Sequence, residues 1–156
     1  MSGEVRTQGT EVFILDTTIK KIPNVVDIGE FGPQADDIDV TNFDSVAKEY
    51  LTGLPDNGEL TLQINLDTTN AVHQLLSAQA GTGTRFQFAV CLSEGTADPT
   101  VTGGNIVPPD ADERTSYVFL ASVKSFRRAI KTNDANRVNC VLRISGGITT
   151  TWYDPA

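Results

Sequence analysis

Residues 58–92 read GELTLQINLDTTNAVHQLLSAQAGTGTRFQFAVCL. In the first nine, Leu60, Leu62, Ile64 and Leu66 alternate with Thr61, Gln63, Asn65 and Asp67. Period 2 gives a strand with one apolar and one polar face. Burying four such side chains is worth about 6–10 kcal/mol. The period then changes: Ala71, Val72, Leu75, Leu76 and Gln79 recur at helical spacing, with Asp67, Thr68 and Thr69 as candidate N-caps and Gly81 as the stop. A helix of about three turns is unstable alone in water, so it must lie on an apolar surface. Phe86, Phe88, Val90 and Leu92 alternate again, and the stretch therefore predicts strand, short helix, strand.

Working back from residue 58, Asn42–Asn57 (NFDSVAKEYLTGLPDN) has no sustained period yet carries Phe43, Tyr50, Leu51 and Leu54. It reads as a long irregular loop, and such loops either have a job or are disordered; its apolar residues are expected to be buried, over the chain's own barrel or on a neighbouring subunit. Ala35–Thr41 and Asn24–Phe31 read as strands, the latter ended by Gly32-Pro33. Thr17–Pro23 is a polar link, and EVFILD (11–16) is strand-like. Residues 1–10 are polar and form an N-terminal arm.

Forward from residue 92, Ser93–Ser116 holds Pro99, Gly103, Gly104, Pro108 and Pro109, which predicts a surface insertion without regular structure over most of its length. Tyr117–Lys131 and Asn136–Gly146 form a hairpin around Asn133-Asp134. Phe119, Ala121, Val123, Val138, Cys140, Leu142 and Ile144 point inward, and Ser125-Phe126 marks a bulge. Gly146-Gly147 ends the last strand and 148–156 is a tail. Six or seven strands with one helix predict a mainly β chain: one antiparallel sandwich or barrel over residues 11–147 with a flanking short α-helix.

At 156 residues one domain is expected, and 39% hydrophobic residues is ordinary for a globular chain. No run of about 18 apolar residues occurs, so no membrane span or membrane binding is expected. The N-terminus lacks a charged-then-apolar signal pattern. The first 78 residues hold thirteen carboxylates and four cations, which leaves +1 for the rest of a chain whose formal charge is −8. Such a chain repels nucleic acid unless a local basic patch intervenes.

No enzyme signature emerges. His73 is the one histidine and falls on the expected polar side of the helix, with no nucleophile elbow for it to serve. Asp36, Asp37 and Asp39 lack the glycine and terminal glutamate of a calcium loop, and Gly81-Thr-Gly-Thr lacks the lysine of a phosphate loop. Cys91 and Cys140 read as buried free thiols. Arg127, Arg128 and Lys131 form the one basic run and read as salt-bridge partners for an acidic neighbour. No metal or cofactor is expected.

The order of these features resembles the tail tube (major tail) protein of long-tailed bacteriophages, lambda-like type. The matching parts are VVDIGEFGPQADDIDVT (25–41), SVAKEYLTGLPDNGELTLQINL (45–66), the single helix DTTNAVHQLLSAQA (67–80), TRFQFAV (84–90) and the hairpin ASVKSFRRAIKTNDANRVNCVLRISG (121–146). The run Tyr50-Leu-Thr-Gly-Leu-Pro-Asp-Asn-Gly58 is its most characteristic part.

The resemblance implies a non-enzymatic virion protein whose copies form hexameric rings stacked into a tube, the conduit for genome delivery. Phe43, Tyr50, Leu51 and Leu54 in the 42–57 loop would contact neighbouring subunits or rings, and Asp37, Asp39, Glu59 and Gln63 would line the lumen. Partners would be further copies of itself and the tape measure, tail tip and tail terminator proteins, with DNA passing unbound. Assembly would take place in the host cytoplasm. Rival readings are a tail terminator, a type VI secretion tube protein, or a monomeric barrel with a ligand pocket.

Overall fold

The computed structural model describes residues 8–44, 46–132 and 135–155. Its elements in chain order are β1 (Glu11–Leu15), β2 (Ile19–Lys21), β3 (Val25–Ile28), β4 (Gln34–Asp39), β5 (Tyr50–Asp56), β6 (Glu59–Asn65), α1 (Ala71–Gln79), β7 (Arg85–Cys91), β8 (Thr100–Thr102), β9 (Asn105–Val107), β10 (Ser116–Ala129) and β11 (Arg137–Thr151). Seven strands make one sheet in the order β2-β1-β7-β10-β11-β6-β3, while β4-β5 and β8-β9 are separate pairs.

All neighbours in the large sheet are antiparallel. Its two edges, β2 and β3, are consecutive in sequence and joined by only Ile22, Pro23 and Asn24. Laid flat, seven strands would put these edges about 29 Å apart. The link spans about 14 Å at full extension, so the sheet has to curl into an open barrel. The link is tied to both sides: Ile22 N–H donates to Val12 O (2.8 Å) and Asn65 N–H to Asn24 O (3.0 Å). Asn24 turns the corner with φ 61°, a left-handed conformation that Asn tolerates.

The inward faces carry the alternation read in the sequence. Leu60, Leu62, Ile64, Phe88, Val90, Phe119, Ala121, Val123, Val138, Cys140, Leu142 and Ile144 form one core with Val12, Ile14 and Ile22, and α1 adds Val72 and Leu76. Leu62 is fully buried there. Leu62→Ala should therefore cost about 2–5 kcal/mol, read as a lowered urea midpoint, while Thr61→Ala on the outer face should stay within about 0.5 kcal/mol. Equal midpoints for the two variants would contradict this core.

Several expectations are corrected. The N-cap is Asn70, whose Oδ1 accepts from the Val72 and His73 N–H groups at 2.9 and 3.1 Å. Asp67 instead closes the preceding turn by accepting from Thr69. His73 is buried, not on a polar face: its Nδ1 accepts from Asp67 N–H (3.0 Å), so Nε2 carries the proton and donates to Pro23 O (2.8 Å).

Thr17–Pro23 contains the short strand β2, and Asn42–Asn57 is not irregular throughout, because β5 pairs with β4. Gly146-Gly147 does not end β11. Val118 pairs with Thr149 and Leu120 with Ser145, so residues 146–148 form a bulge opposite Phe119, with Gly146 at φ 80°. Residues 148–151 are then strand, and Ile148 packs on the core, so the domain runs past residue 147. The expected shift at Ser125 is present. The turn at Asn133-Asp134 and residues 1–7 of the N-terminal arm lie outside the described residues.

Candidate self-assembly surfaces

The β4-β5 hairpin leaves the barrel at Gly32-Pro33 and returns at Gly58, forming an arm. Directly opposed residues of an antiparallel pair share a face. Ile38 opposes Leu51, while Asp37 opposes Thr52 and Asp39 opposes Tyr50. The arm therefore has one aliphatic and one acidic face, and these residues are exposed on both.

A bulge between Ala35 and Asp37 interrupts the register, and Pro55 sits beside it, where a missing N–H is tolerated. Beyond the strands the neck is closed by Val40 N–H to Glu49 O (2.9 Å) and Glu49 N–H to Thr41 Oγ1 (2.8 Å). Hydrogen bonds from the Thr41 hydroxyl and backbone hold the Asp39 carboxyl below its ordinary value.

The four expected contact residues all lie on this arm. Phe43 and Leu54 are 110% and 93% exposed, and Tyr50 and Leu51 are about half exposed. Half of the large hydrophobic side chains left exposed among the described residues fall between Ile38 and Leu54. A concentration of that kind marks an interaction surface.

The expected lumen residues fall into two separate groups. Asp37 and Asp39 sit on the acidic face of the arm. Glu59 and Gln63 lie on the outer face of the barrel, opposite Arg143 and Asn139. Exposed Arg85, Lys124, Arg127, Arg137 and Arg143 share that outer region, so Glu59 stands among cations. Its carboxylate is paired with Lys124, and Arg143 pairs with Asp56 at 3.0 Å. In the basic run, Arg128 donates to Ser77 Oγ (3.0 Å) and lies over the Phe126 ring.

One residue with a large structural role carried no signal in the sequence. Arg114 is fully buried, although it lies in the polar 93–116 excursion. Its Nε donates to Leu92 O (2.8 Å), Nη1 to Glu11 Oε1 and Ala97 O (both 3.0 Å), and Nη2 to Cys91 O (3.1 Å). An arginine in a Pro- and Asp-rich run reads as solvated, and nothing local marks it as buried.

The same excursion folds the β8-β9 hairpin over β7, where the Gln87 side chain accepts from Ile106 N–H (2.7 Å) and donates to Asn105 (2.8 Å). Phe13, Leu15, Ala89, Cys91 and Ile106 form a second cluster beneath it. The insertion is thus a cover for the far side of β1 and β7.

Groups that could react are sequestered. Both cysteines are free and buried, and burial pushes the Cys91 thiol up to about 11 and the Cys140 thiol up to about 12. Among the described residues no group of three or more His, Cys, Asp or Glu is placed to hold a metal ion. What the described residues offer is a set of contact surfaces.

Comparison with known proteins agrees with the fold. A family model described as phage tail tube, TTP, lambda-like, matches residues 3–154. "Structural protein 3" of Pseudomonas phage PAJU2 is 25% identical over 148 residues, covering 91% of this chain and 90% of that protein. Among solved structures, the SPP1 tail tube superimposes with a TM-score of 0.66 at 9% identity, over 97% of this chain and 82% of that one. A chain of the native gene transfer agent virion gives 0.67 at 13% identity, over 95% and 99%. At such identities these likenesses speak for the fold alone.

Proposed function

The chain belongs to the lambda-like phage tail tube family, and on that premise we propose that its copies form hexameric rings stacked into a hollow conduit for DNA. Its role is structural, as a tail tube subunit of the virion. The observation that carries the assembly reading is the arm, an amphipathic hairpin projecting from a finished barrel with large apolar side chains left exposed among the described residues. Ile38, Phe43, Leu51 and Leu54 meet a neighbouring subunit or ring, and Tyr50 flanks that contact. Pairing of sheets between neighbours covers the free edges of β2 and β3, which would otherwise invite uncontrolled association.

A heterologous contact between rings does not close on itself and so gives an open filament. Asp37 and Asp39, on the opposite face of the arm, line the lumen and repel DNA phosphates, so the genome slides without sticking. Glu59, already paired with Lys124, contributes less to that field, and Gln63 is a neutral lining candidate. The chain does no chemistry of its own. Its partners are the tape measure, tail tip and tail terminator proteins, with assembly in the host cytoplasm.

Negative-stain electron microscopy of the concentrated purified chain tests the reading. Tubes are expected. Single rings would mark a terminator instead, and a chain that stays monomeric at every concentration in sedimentation would overturn self-assembly. The lumen assignment has its own test: Asp37→Lys with Asp39→Lys should leave tubes intact and slow DNA ejection, and unchanged ejection would remove it.

A further inference from the structure

At the root of the arm, Phe31, Pro33, Pro55, Tyr117, Ile148 and Trp152 wall an open groove of about 470 Å³. Three of these rings are set edge to face: Phe31 on Tyr117 at 5.4 Å between centroids and Tyr117 on Trp152 at 6.3 Å. Such a cluster is a rigid apolar wall, yet Trp152 is 70% exposed. At the other end of the arm, Phe43 and Val46 are 110% and 104% exposed, packed on none of the described residues. The six residues of β4 set tip and root about 20 Å apart at a strand's rise. A copy's own tip therefore lies away from its own groove.

We propose that the groove receives the Phe43–Val46 tip of a second copy. The inference rests on the tube-subunit reading and names the receptor for the arm. The tip offers two large apolar side chains, Phe43 and Val46, on either side of the exposed Asp44, the groove is mainly apolar, and its volume suits a few large side chains. They are different patches on one chain, so the contact is head to tail, each copy giving a tip and receiving one. The bulge at residues 146–148 is what places Ile148 and Trp152 in the wall, because it carries β11 past its glycine pair. Val40, Ile38 and Leu51 continue the apolar surface back along the arm.

Trp152 is the single tryptophan of the chain and reports directly. In wild-type tubes its emission should shift to the blue and its acrylamide quenching fall severalfold relative to the monomer. The tip variant Phe43→Ser with Val46→Ser should not assemble, with an unchanged circular dichroism spectrum because both side chains are fully exposed in the monomer. Mixing it with a groove variant, Trp152→Ala, is decisive. In the mixture only the tip variant carries a tryptophan, and the groove variant supplies an intact tip. Protection of Trp152 on mixing supports the contact, and a tryptophan that stays quenchable overturns it.

Wild-type tubes with Trp152 as quenchable as in the monomer would overturn the groove while leaving the tube reading standing. Protected tryptophan in tubes that the tip variant still forms would give the groove to another segment and overturn the proposed occupant. A wild-type chain that never assembles and keeps Trp152 exposed would overturn both readings.

Discussion

A chain with Leu51→Asp and Leu54→Asp remains a folded monomer and no longer assembles. Leu54 is 93% exposed and Leu51 more than half exposed, so the monomer loses little packing when they change. Surface substitutions of this kind stay within about 0.5 kcal/mol of stability. Covered by a neighbour, each leucine contributes about 1.5–3 kcal/mol, and a carboxylate left against an apolar partner adds a desolvation cost. Together they raise the concentration needed for assembly by at least about a hundredfold, since each 1.4 kcal/mol is tenfold.

Sedimentation velocity reads the assembly and a urea titration reads the fold. Tubes at the wild-type concentration would remove the arm from the interface. A lowered urea midpoint would mean that the arm packs on its own barrel.

The second large effect belongs to Arg114. Arg114→Met keeps the length of the side chain and removes its hydrogen bonds. Glu11 loses one of two cationic partners, the other being Lys21 at 3.0 Å, and the carbonyls of Cys91, Leu92 and Ala97 lose their donor. Breaking a buried ion pair from one side costs about 3–5 kcal/mol, a large part of a domain's total stability. The loop has little room to adjust around the loss: a Cβ on Gly95 would stand 2.3 Å from the Glu113 carbonyl oxygen. The expected readout is a large drop in urea midpoint, with earlier proteolysis in residues 93–115.

Acid adds a signature. Burial raises the Glu11 carboxyl, but the hydrogen bonds from Lys21 and Arg114 outweigh it and hold it below its ordinary value of 4.5. A carboxyl lowered by folding stabilises the fold above the unfolded value, and that contribution is lost as pH falls through the folded value. Wild type should therefore lose stability below pH 4.5 more steeply than Glu11→Gln. Parallel acid profiles for the two chains would contradict the role given to Glu11.

How much was legible follows from which faces are buried. The Leu60–Ile64 and Val138–Ile144 alternations were readable because each strand has one face in the core and a more exposed one outside. The arm is exposed on both faces, so β5 showed no period and read as loop although it pairs in register with β4. β7 is buried on its second face as well, beneath the β8-β9 hairpin. The Ala89 and Cys91 that pack there gave no hint of a cover. Phe43, Tyr50, Leu51 and Leu54 stood out because large apolar residues sat in a run without periodicity. That marked the segment, and the exposure of these residues on a projecting hairpin supplies its reason.

By itself the sequence determined six of the seven strands of the large sheet with their inward residues, the single helix, and the acidity of the first half, because these depend on local spacing and composition; β2, three residues long, read as a link. Tertiary structure alone decided the rest. Arg114 meets Glu11 across 103 positions, His73 is pinned by Pro23 fifty positions away, and a glycine pair becomes a bulge because β10 continues alongside it. Each outcome depends on which distant group arrives to satisfy a buried polar atom or an open strand, and no local pattern encodes that arrival.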